Sequence, residues 1–152
     1  DSAGGYFAEF CLGRSVAAAD FDDDGDLDFA ITHLDRPLAL LSNQTETKRR
    51  FIGLQLETVS RMPPVGGRVV VVCGALRQVL PVFAGGSYLA SSDARILAGL
   101  GDGTDPVQIE IHWPSGRVDR IDDLPTDRYW RIREGGRPQA MDHLPSSASA
   151  SP

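Results

Sequence analysis

Apolar and polar residues alternate along several short segments of this 152-residue chain. In one segment Val107, Ile109, Ile111 and Trp113 alternate with polar residues. Because successive side chains of a β-strand point to opposite faces, this alternation predicts a strand with one buried face. The valine run at 69–72 is continuous instead, which is typical of a strand covered on both faces. We predict further strands at 27–32, 52–57, 77–83, 95–98, 117–121 and 129–133.

Glycine and proline separate these segments at short intervals, at 63–67, 85–86 and 101–103. Pro114 suits the second position of a type I turn and Gly116 the fourth, so we predict a β-hairpin whose strands flank them. Helical periodicity is nearly absent. Many short strands with glycine and proline turns predict an all-β fold, arranged as a β-sandwich or a barrel.

Six acidic residues fall within one nine-residue segment, 20–28. The chain carries 21 Asp and Glu against 15 Lys and Arg, a formal net charge of −6. Subtracting these six leaves 15 acids, which equals the number of bases, so the whole acidic excess lies in this segment. Such concentrated charge predicts a cation site. No basic stripe is present, which argues against nucleic-acid binding. The six are Asp20, Asp22, Asp23, Asp24, Asp26 and Asp28.

The spacing within this segment, here called the aspartate loop, suits calcium. Carboxylates at loop positions one, three and five point to one centre when the backbone curls, and Gly25 at position six permits a sharp turn. Position seven would supply its backbone carbonyl, and position nine closes the site. Calcium takes about six to eight oxygen ligands, and this loop offers most of them. The predicted metal ligands are Asp20, Asp22, Asp24, Asp26 and Asp28.

Other metal sites fit the loop less well. An EF-hand has a bidentate Glu at position twelve and helices on both sides, whereas position twelve here is Ile31 and the flanks are predicted strands. Magnesium prefers fewer carboxylates and retained water, and zinc favours Cys or His. A solvated acidic turn without an ion is the alternative, but each close pair of carboxylates repels by on the order of 1 kcal/mol. We expect the ion to stabilise a β-hairpin rather than to take part in catalysis.

Two parts of the sequence resemble known families. Residues 16–28 are similar to the FG-GAP (VCBS) repeat, the integrin-type propeller blade with its calcium loop. Residues 50–135 resemble the ASPIC/UnbV domain, which occurs in cartilage acidic protein, in a protein encoded in enediyne biosynthesis clusters and in many bacterial exported proteins. The matching pieces of that domain are 67–71, 85–91, 99–101 and 113–117.

These resemblances imply a domain organisation and a location. They imply a partial FG-GAP/VCBS repeat with its calcium loop at 1–45, an ASPIC/UnbV β-domain at 50–135, and a flexible tail or linker at 136–152. The repeat implies upstream propeller blades, because a propeller needs several blades and this sequence shows one loop. The protein is expected to be extracellular, on the cell surface or periplasmic. The ligands of the repeat map onto the five loop aspartates already named, and no catalytic residue carries over.

Other reactive side chains give weak catalytic signals. Ser87 follows two glycines but lacks the G-x-S-x-G pattern of a nucleophile elbow, so we predict a turn. The three histidines have no ligand-like spacing, and surface roles are expected for them. Cys11 and Cys73 could pair in an exported protein, or Cys73 could be a free core thiol. The histidines are His33, His112 and His143.

Aromatic residues leave one binding alternative open. Tyr88, Trp113, Tyr129 and Trp130 could form a sugar-binding platform or pack in the core or an interface. The expected function is that of a calcium-binding extracellular module in protein interaction or adhesion, not an enzyme. The alternatives are a carbohydrate-binding module and an accessory or enzymatic domain in a biosynthetic pathway. The expected partners are a protein or glycan and the upstream blades, with no membrane span, because no stretch approaches roughly 18 apolar residues.

Overall fold

The computed structural model describes residues 4–45 and 49–142. The all-β prediction is confirmed: apart from one 3-10 turn, Gly5–Ala8, the regular elements of these residues are strands. The predicted strands are present, with ends that match or differ by at most three residues. The strands are β1 (Gly13–Ala19), β2 (Asp28–His33), β3 (Ala39–Leu41), β4 (Arg50–Glu57), β5 (Arg68–Cys73), β6 (Leu76–Pro81), β7 (Gly86–Ser87), β8 (Ala90–Ser91), β9 (Ile96–Gly101), β10 (Val107–His112), β11 (Val118–Asp122), β12 (Tyr129–Arg133) and β13 (Gln139–Ala140).

The first three strands form an antiparallel sheet in the order β1-β2-β3. The last pair of residues between β1 and β2 is Ala19 opposite Asp28. The aspartate loop therefore connects two antiparallel strands, as the sequence predicted. A two-stranded hairpin, β7–β8, lies beside β1.

Two four-stranded sheets form the larger part of the molecule. Their orders are β11-β10-β5-β6 and β13-β12-β4-β9. The predicted hairpin is confirmed as β10–β11, with the Trp113 amide donating to the Arg117 carbonyl at 2.9 Å. Neither sheet closes into a barrel in the described part of the chain, and both contribute to one apolar core, so the sandwich is the architecture observed. The fully buried residues of this core include Ile52, Leu54, Val69, Val71, Val107, Ile109, Ile111 and Ile132.

The start of β4 is buried on both faces. Ile52 and Leu54 point into the sandwich core, and the residues that alternate with them lie on the opposite face. Phe51 and Gly53 on that outer face are nevertheless buried. A Cβ built on Gly25 of the aspartate loop would lie 2.2 Å from the Phe51 ring. The aspartate loop therefore covers the outer face of this sheet.

The end of the described chain returns to the same sheet. β12 pairs with β4 in parallel, and β13 pairs with β12. The tail predicted for 136–152 thus begins within the sheet: Gln139–Ala140 is an edge strand, and the Met141 amide donates to the Tyr129 carbonyl at 2.9 Å. Residues 143–152, like 1–3 and 46–48 of the predicted first segment and its boundary, lie outside the described residues.

Candidate metal centre

Asp20 organises the turn of the aspartate loop through its own carboxylate. Oδ1 accepts a hydrogen bond from the Asp24 amide at 3.1 Å, and Oδ2 accepts one from the Gly25 amide at 2.9 Å. The backbone at Asp23 and Gly25 is left-handed, with φ of 58° and 94°. Short polar residues and glycine tolerate that conformation, which explains why this sequence curls so tightly.

Asp28 closes the loop at its other end. Its Oδ2 accepts a hydrogen bond from the Phe21 amide at 2.9 Å, and its Oδ1 accepts one from the Asn43 amide at 2.7 Å. Asp20 and Asp28 are only 2% and 3% exposed. Two buried carboxylates, one just after β1 and one at the start of β2, thus accept hydrogen bonds from backbone amides.

Three carboxylates converge in the loop. Asp20, Asp22 and Asp28 each place one oxygen so that the three oxygens lie within 4.8 Å of one another. Ligands on opposite sides of a calcium ion are about 4.6–5.2 Å apart, since each Ca–O distance is about 2.3–2.6 Å, so one such ion fits this spacing. Asp24 is outside the group, and its Oδ1 accepts a hydrogen bond from the Asp26 amide at 2.9 Å. Of the five predicted ligands, the structure therefore brings three carboxylates together.

Carboxylates crowd together in the loop and disfavour each other's ionised form. Partial desolvation of its carboxyl group raises the pKa of Asp22 above its ordinary value, although the residue as a whole is exposed, and the charges of Asp24, Asp28 and Asp20 raise it further. Burial likewise raises the pKa of Asp26, with added repulsion from the same neighbours. A cation bound between these carboxylates would lower their pKa values and favour the ionised form.

The sixth aspartate of the loop takes a different partner. Asp23 is buried and forms an ion pair at 2.6 Å with Nη1 of Arg95. The same guanidinium donates to the Asp20 carbonyl at 2.7 Å and pairs with Asp93 at 2.5 Å. Burial alone would lower the pKa of Arg95, but the hydrogen bonds that the guanidinium donates to Asp93 and Asp23 outweigh it and raise the pKa, so the side chain stays charged.

Tyr129 reaches the loop from β12. Its hydroxyl donates to Oδ2 of Asp20 at 2.7 Å, and the guanidinium of Arg95 lies 4.2 Å from the centre of its ring. Burial, followed by the hydrogen bond to Asp20, raises the pKa of Tyr129, so the phenol remains a donor. The sequence did not predict that Arg95 or Tyr129 contacts the loop. The one available signal was Gly53, because glycine inside a strand often marks the close approach of another group.

Ser87 contacts the backbone of β1. Its Oγ accepts a hydrogen bond from the Val16 amide at 3.2 Å, and Oγ of Ser92 accepts one from the Ala18 amide at 3.2 Å. The Asp93 amide also donates to the Ala18 carbonyl at 2.9 Å. The 85–93 segment thus covers the outer edge of β1, which would otherwise present unpaired backbone groups.

The histidines and cysteines are dispersed. Nε2 of His33 lies 2.7 Å from the Tyr6 hydroxyl, and His112 lies 2.5 Å from Glu110. His143 is outside the described residues. Cys11 and Cys73 are free thiols, so of the two possibilities left open by the sequence, a disulfide or unpaired cysteines, the structure has the second.

The four aromatic residues considered as a sugar platform do not share an exposed surface. Trp113 and Tyr129 are 3% and 4% exposed, whereas Tyr88 is 58% exposed and stacks with Arg14. Trp130 is half-buried against the core. Two of the four therefore belong to the interior.

Within the described residues, no helix is long and apolar enough to cross a membrane. A family model described as ASPIC and UnbV matches residues 58–139, more than half of the chain. The matched segment includes Arg95 and Tyr129 and lies after the aspartate loop. None of the curated proteins searched matches the sequence. The chain belongs to the ASPIC and UnbV family.

Proposed function

We propose that the aspartate loop binds one calcium ion, and that this ion fixes the β1–β2 hairpin in an extracellular module for protein interaction or adhesion. The observation that carries the proposal is the convergence of Asp20, Asp22 and Asp28 within 4.8 Å, two of them buried. Oxygen atoms are the ligands that calcium prefers, and by its place at position seven of the loop we expect Asp26 to add its backbone carbonyl. The ion would supply positive charge at a site where carboxylates repel one another.

The surroundings of the loop support this proposal. The resemblance of 16–28 to an FG-GAP/VCBS repeat supports a calcium loop on an exported propeller protein. The antiparallel β1-β2-β3 sheet supports the proposal as part of a blade: it has three strands, and a propeller blade typically has four. Upstream blades are the partners this proposal implies.

Exposed apolar side chains support a role in protein interaction. Of the 19 large hydrophobic residues exposed in the described chain, ten lie in 4–45, and Phe10 is fully exposed. Concentrated apolar surface is typical of interaction sites. Ser87 and His33 have structural contacts, and no observation favours an enzyme or a sugar-binding module over this proposal.

Calcium titration tests the proposal directly. Adding calcium to chelator-stripped protein should release or absorb heat with one-to-one stoichiometry. At about 100 times the dissociation constant the ion should stabilise the fold by about 2.7 kcal/mol, a rise in melting temperature of roughly 5–11 °C. Titration should extend to about 10 mM, because extracellular modules bind calcium at roughly 10⁻⁴–10⁻³ M.

Asp22→Asn provides the test variant, because Asp22 is exposed and belongs to the converging group. We expect it to weaken calcium binding by at least about 10- to 100-fold, the loss that changes around a metal site often cause. Asp102→Asn is the matched control: it removes the same charge from an exposed position outside the loop. Absence of heat and of thermal stabilisation in the unmodified protein would refute the calcium proposal, as would equal affinities of the two variants.

Acidification should stabilise the ion-free loop. Asp22 and Asp26 have folded-state pKa values above the ordinary 3.8, so the folded chain binds more protons than the unfolded chain between those values. In chelator, the contribution of these groups to the unfolding free energy should therefore rise as pH falls through the raised values. In saturating calcium the trend should reverse, because protonation displaces the ion.

The measurement is the difference in melting temperature between the unmodified protein and Asp22→Asn, followed in chelator from about pH 7 to about pH 4. The variant should be the more stable protein at neutral pH, and its advantage should shrink on acidification. Glu110 and Asp119 have lowered pKa values and act in the opposite direction, but both proteins retain them. A difference that stays constant with pH would contradict the prediction.

A further inference from the structure

We propose that Arg95 and Tyr129 are positioning residues of the aspartate loop, which hold it against the ASPIC/UnbV segment, 58–139, whether or not an ion is bound. Docking of the β1–β2 hairpin and cation affinity are then two parts of one coupled equilibrium. The part that concerns affinity rests on the proposed function, whereas the part that concerns docking rests on contacts within the protein alone.

The contact of Tyr129 selects one orientation of Asp20. Its hydroxyl and the Gly25 amide both donate to Oδ2 of Asp20, at 2.7 and 2.9 Å. Hydrogen bonds to an ionised acceptor are stronger than neutral ones, and the pair is buried. Since Asp20 belongs to the converging group, the phenol fixes the direction of a candidate ligand from 109 residues away in the sequence.

Arg95 fixes a second point of the loop. It donates to the Asp20 carbonyl and pairs with Asp23, so it contacts both backbone and side chain at the start of the turn. Its guanidinium also lies against the Tyr129 ring, and its pairing with Asp93 anchors it to its own segment. Arg95 and Tyr129 therefore support each other as well as the loop.

Two glycines allow this close approach. A Cβ on Gly53 would lie 2.2 Å from the Tyr129 ring, and a Cβ on Gly25 would lie 2.2 Å from the Phe51 ring. One glycine belongs to the loop and the other to the sheet. Both surfaces of the interface thus lack side chains where aromatic rings from β4 and β12 must fit.

Thermodynamic reciprocity follows from these contacts. If docking raises the affinity of the loop for calcium, calcium must favour docking by the same factor. Coupling between binding sites commonly amounts to about 5- to 150-fold. A variant that loses one positioning contact should therefore show two effects: faster opening of the loop in chelator and weaker calcium binding.

Tyr129→Phe is the decisive variant, because it retains the ring on Gly53 and removes only the hydroxyl. In the full chain with chelator, the Asp24 and Gly25 amides should exchange hydrogen faster, while core amides such as those of Val71 and Ile109 should be unchanged. Calcium affinity should fall by about 5-fold or more, measured at a temperature where both proteins are fully folded. Tyr88→Phe removes an exposed hydroxyl and should alter neither quantity.

The outcomes separate the two proposals. Unchanged exchange of the loop amides in Tyr129→Phe would overturn the positioning role, even if calcium binds. Faster exchange with no calcium binding by either protein would support docking through Tyr129 and refute the calcium proposal. If Tyr129→Phe does not fold, Arg95→Lys serves as the second variant. It retains the charge but cannot contact the Asp20 carbonyl, Asp23 and Asp93 together, so the loop amides should again exchange faster.

Discussion

Replacing Gly53 with alanine should lower the free energy of unfolding by about 2.5–6 kcal/mol. The added Cβ would lie 2.2–2.3 Å from atoms of the Tyr129 ring, so the ring must leave its place on β4. Overpacking of a well-packed site costs about 1–3 kcal/mol. Losing the buried hydrogen bond to Asp20 costs about 1.5–3 kcal/mol more, because the acceptor is charged.

Urea unfolding in chelator measures this loss without a contribution from any ion. Gly99→Ala is the matched control, because Gly99 lies on the neighbouring strand β9 and has no atom within 4 Å of an added Cβ. Its effect should be within about 1 kcal/mol and can be stabilising, since alanine restricts the unfolded chain. Equal losses in the two variants would mean that Tyr129 does not pack on Gly53.

Trp113→Ala should cost about 3–5 kcal/mol, the usual loss for a large aromatic residue in a core. Trp113 is 3% exposed, and its indole N–H donates to Oδ2 of Asp119 at 2.8 Å. That oxygen also accepts a hydrogen bond from the Gly135 amide at 2.8 Å. Burial favours the neutral form of Asp119, but hydrogen bonds from Gly135, Arg117 and Trp113 lower its pKa, so it remains an ionised acceptor.

The comparison variant is Trp130→Ala, which removes the same side chain from a half-buried position on β12. The indole N–H of Trp130 donates to the Pro125 carbonyl at 2.9 Å, an uncharged acceptor. Chemical unfolding should show a clearly smaller loss for Trp130 than for Trp113. If the order were reversed, the turn at 113–117 would not be a main support of the sandwich.

Local patterns of the sequence predicted much of the fold. Alternation placed Val107, Ile109 and Ile111 on the buried face of β10, and the structure confirms this. The turn chemistry of Pro114 and Gly116 predicted the hairpin that follows. These predictions succeeded because the two-residue period of a strand and the geometry of a turn are set by neighbouring residues.

Such local patterns could not predict which distant residues surround the candidate site. Loop spacing predicted a centre shared by five aspartates, of which the structure brings the carboxylates of three together. It did not predict that Tyr129 donates to Asp20 from 109 residues away. Alternation tells which face of β4 enters the core, not that a loop covers the other face. Composition suggested a tail after residue 135, whereas backbone pairing draws Gln139–Ala140 into the sheet.

The parallel pairing of β4 with β12 also affects how the molecule folds. Gln55 and Arg131, which face each other across that pair, are 76 residues apart in the sequence. Contacts so distant form slowly, because the chain must lose loop-closure entropy before they stabilise anything. The β5–β6 and β10–β11 hairpins have local contacts and are expected to form earlier. The aspartate loop would then remain undocked until β12 arrives, and folding rates should be more sensitive to changes in the β4–β12 pair than to changes in the loop.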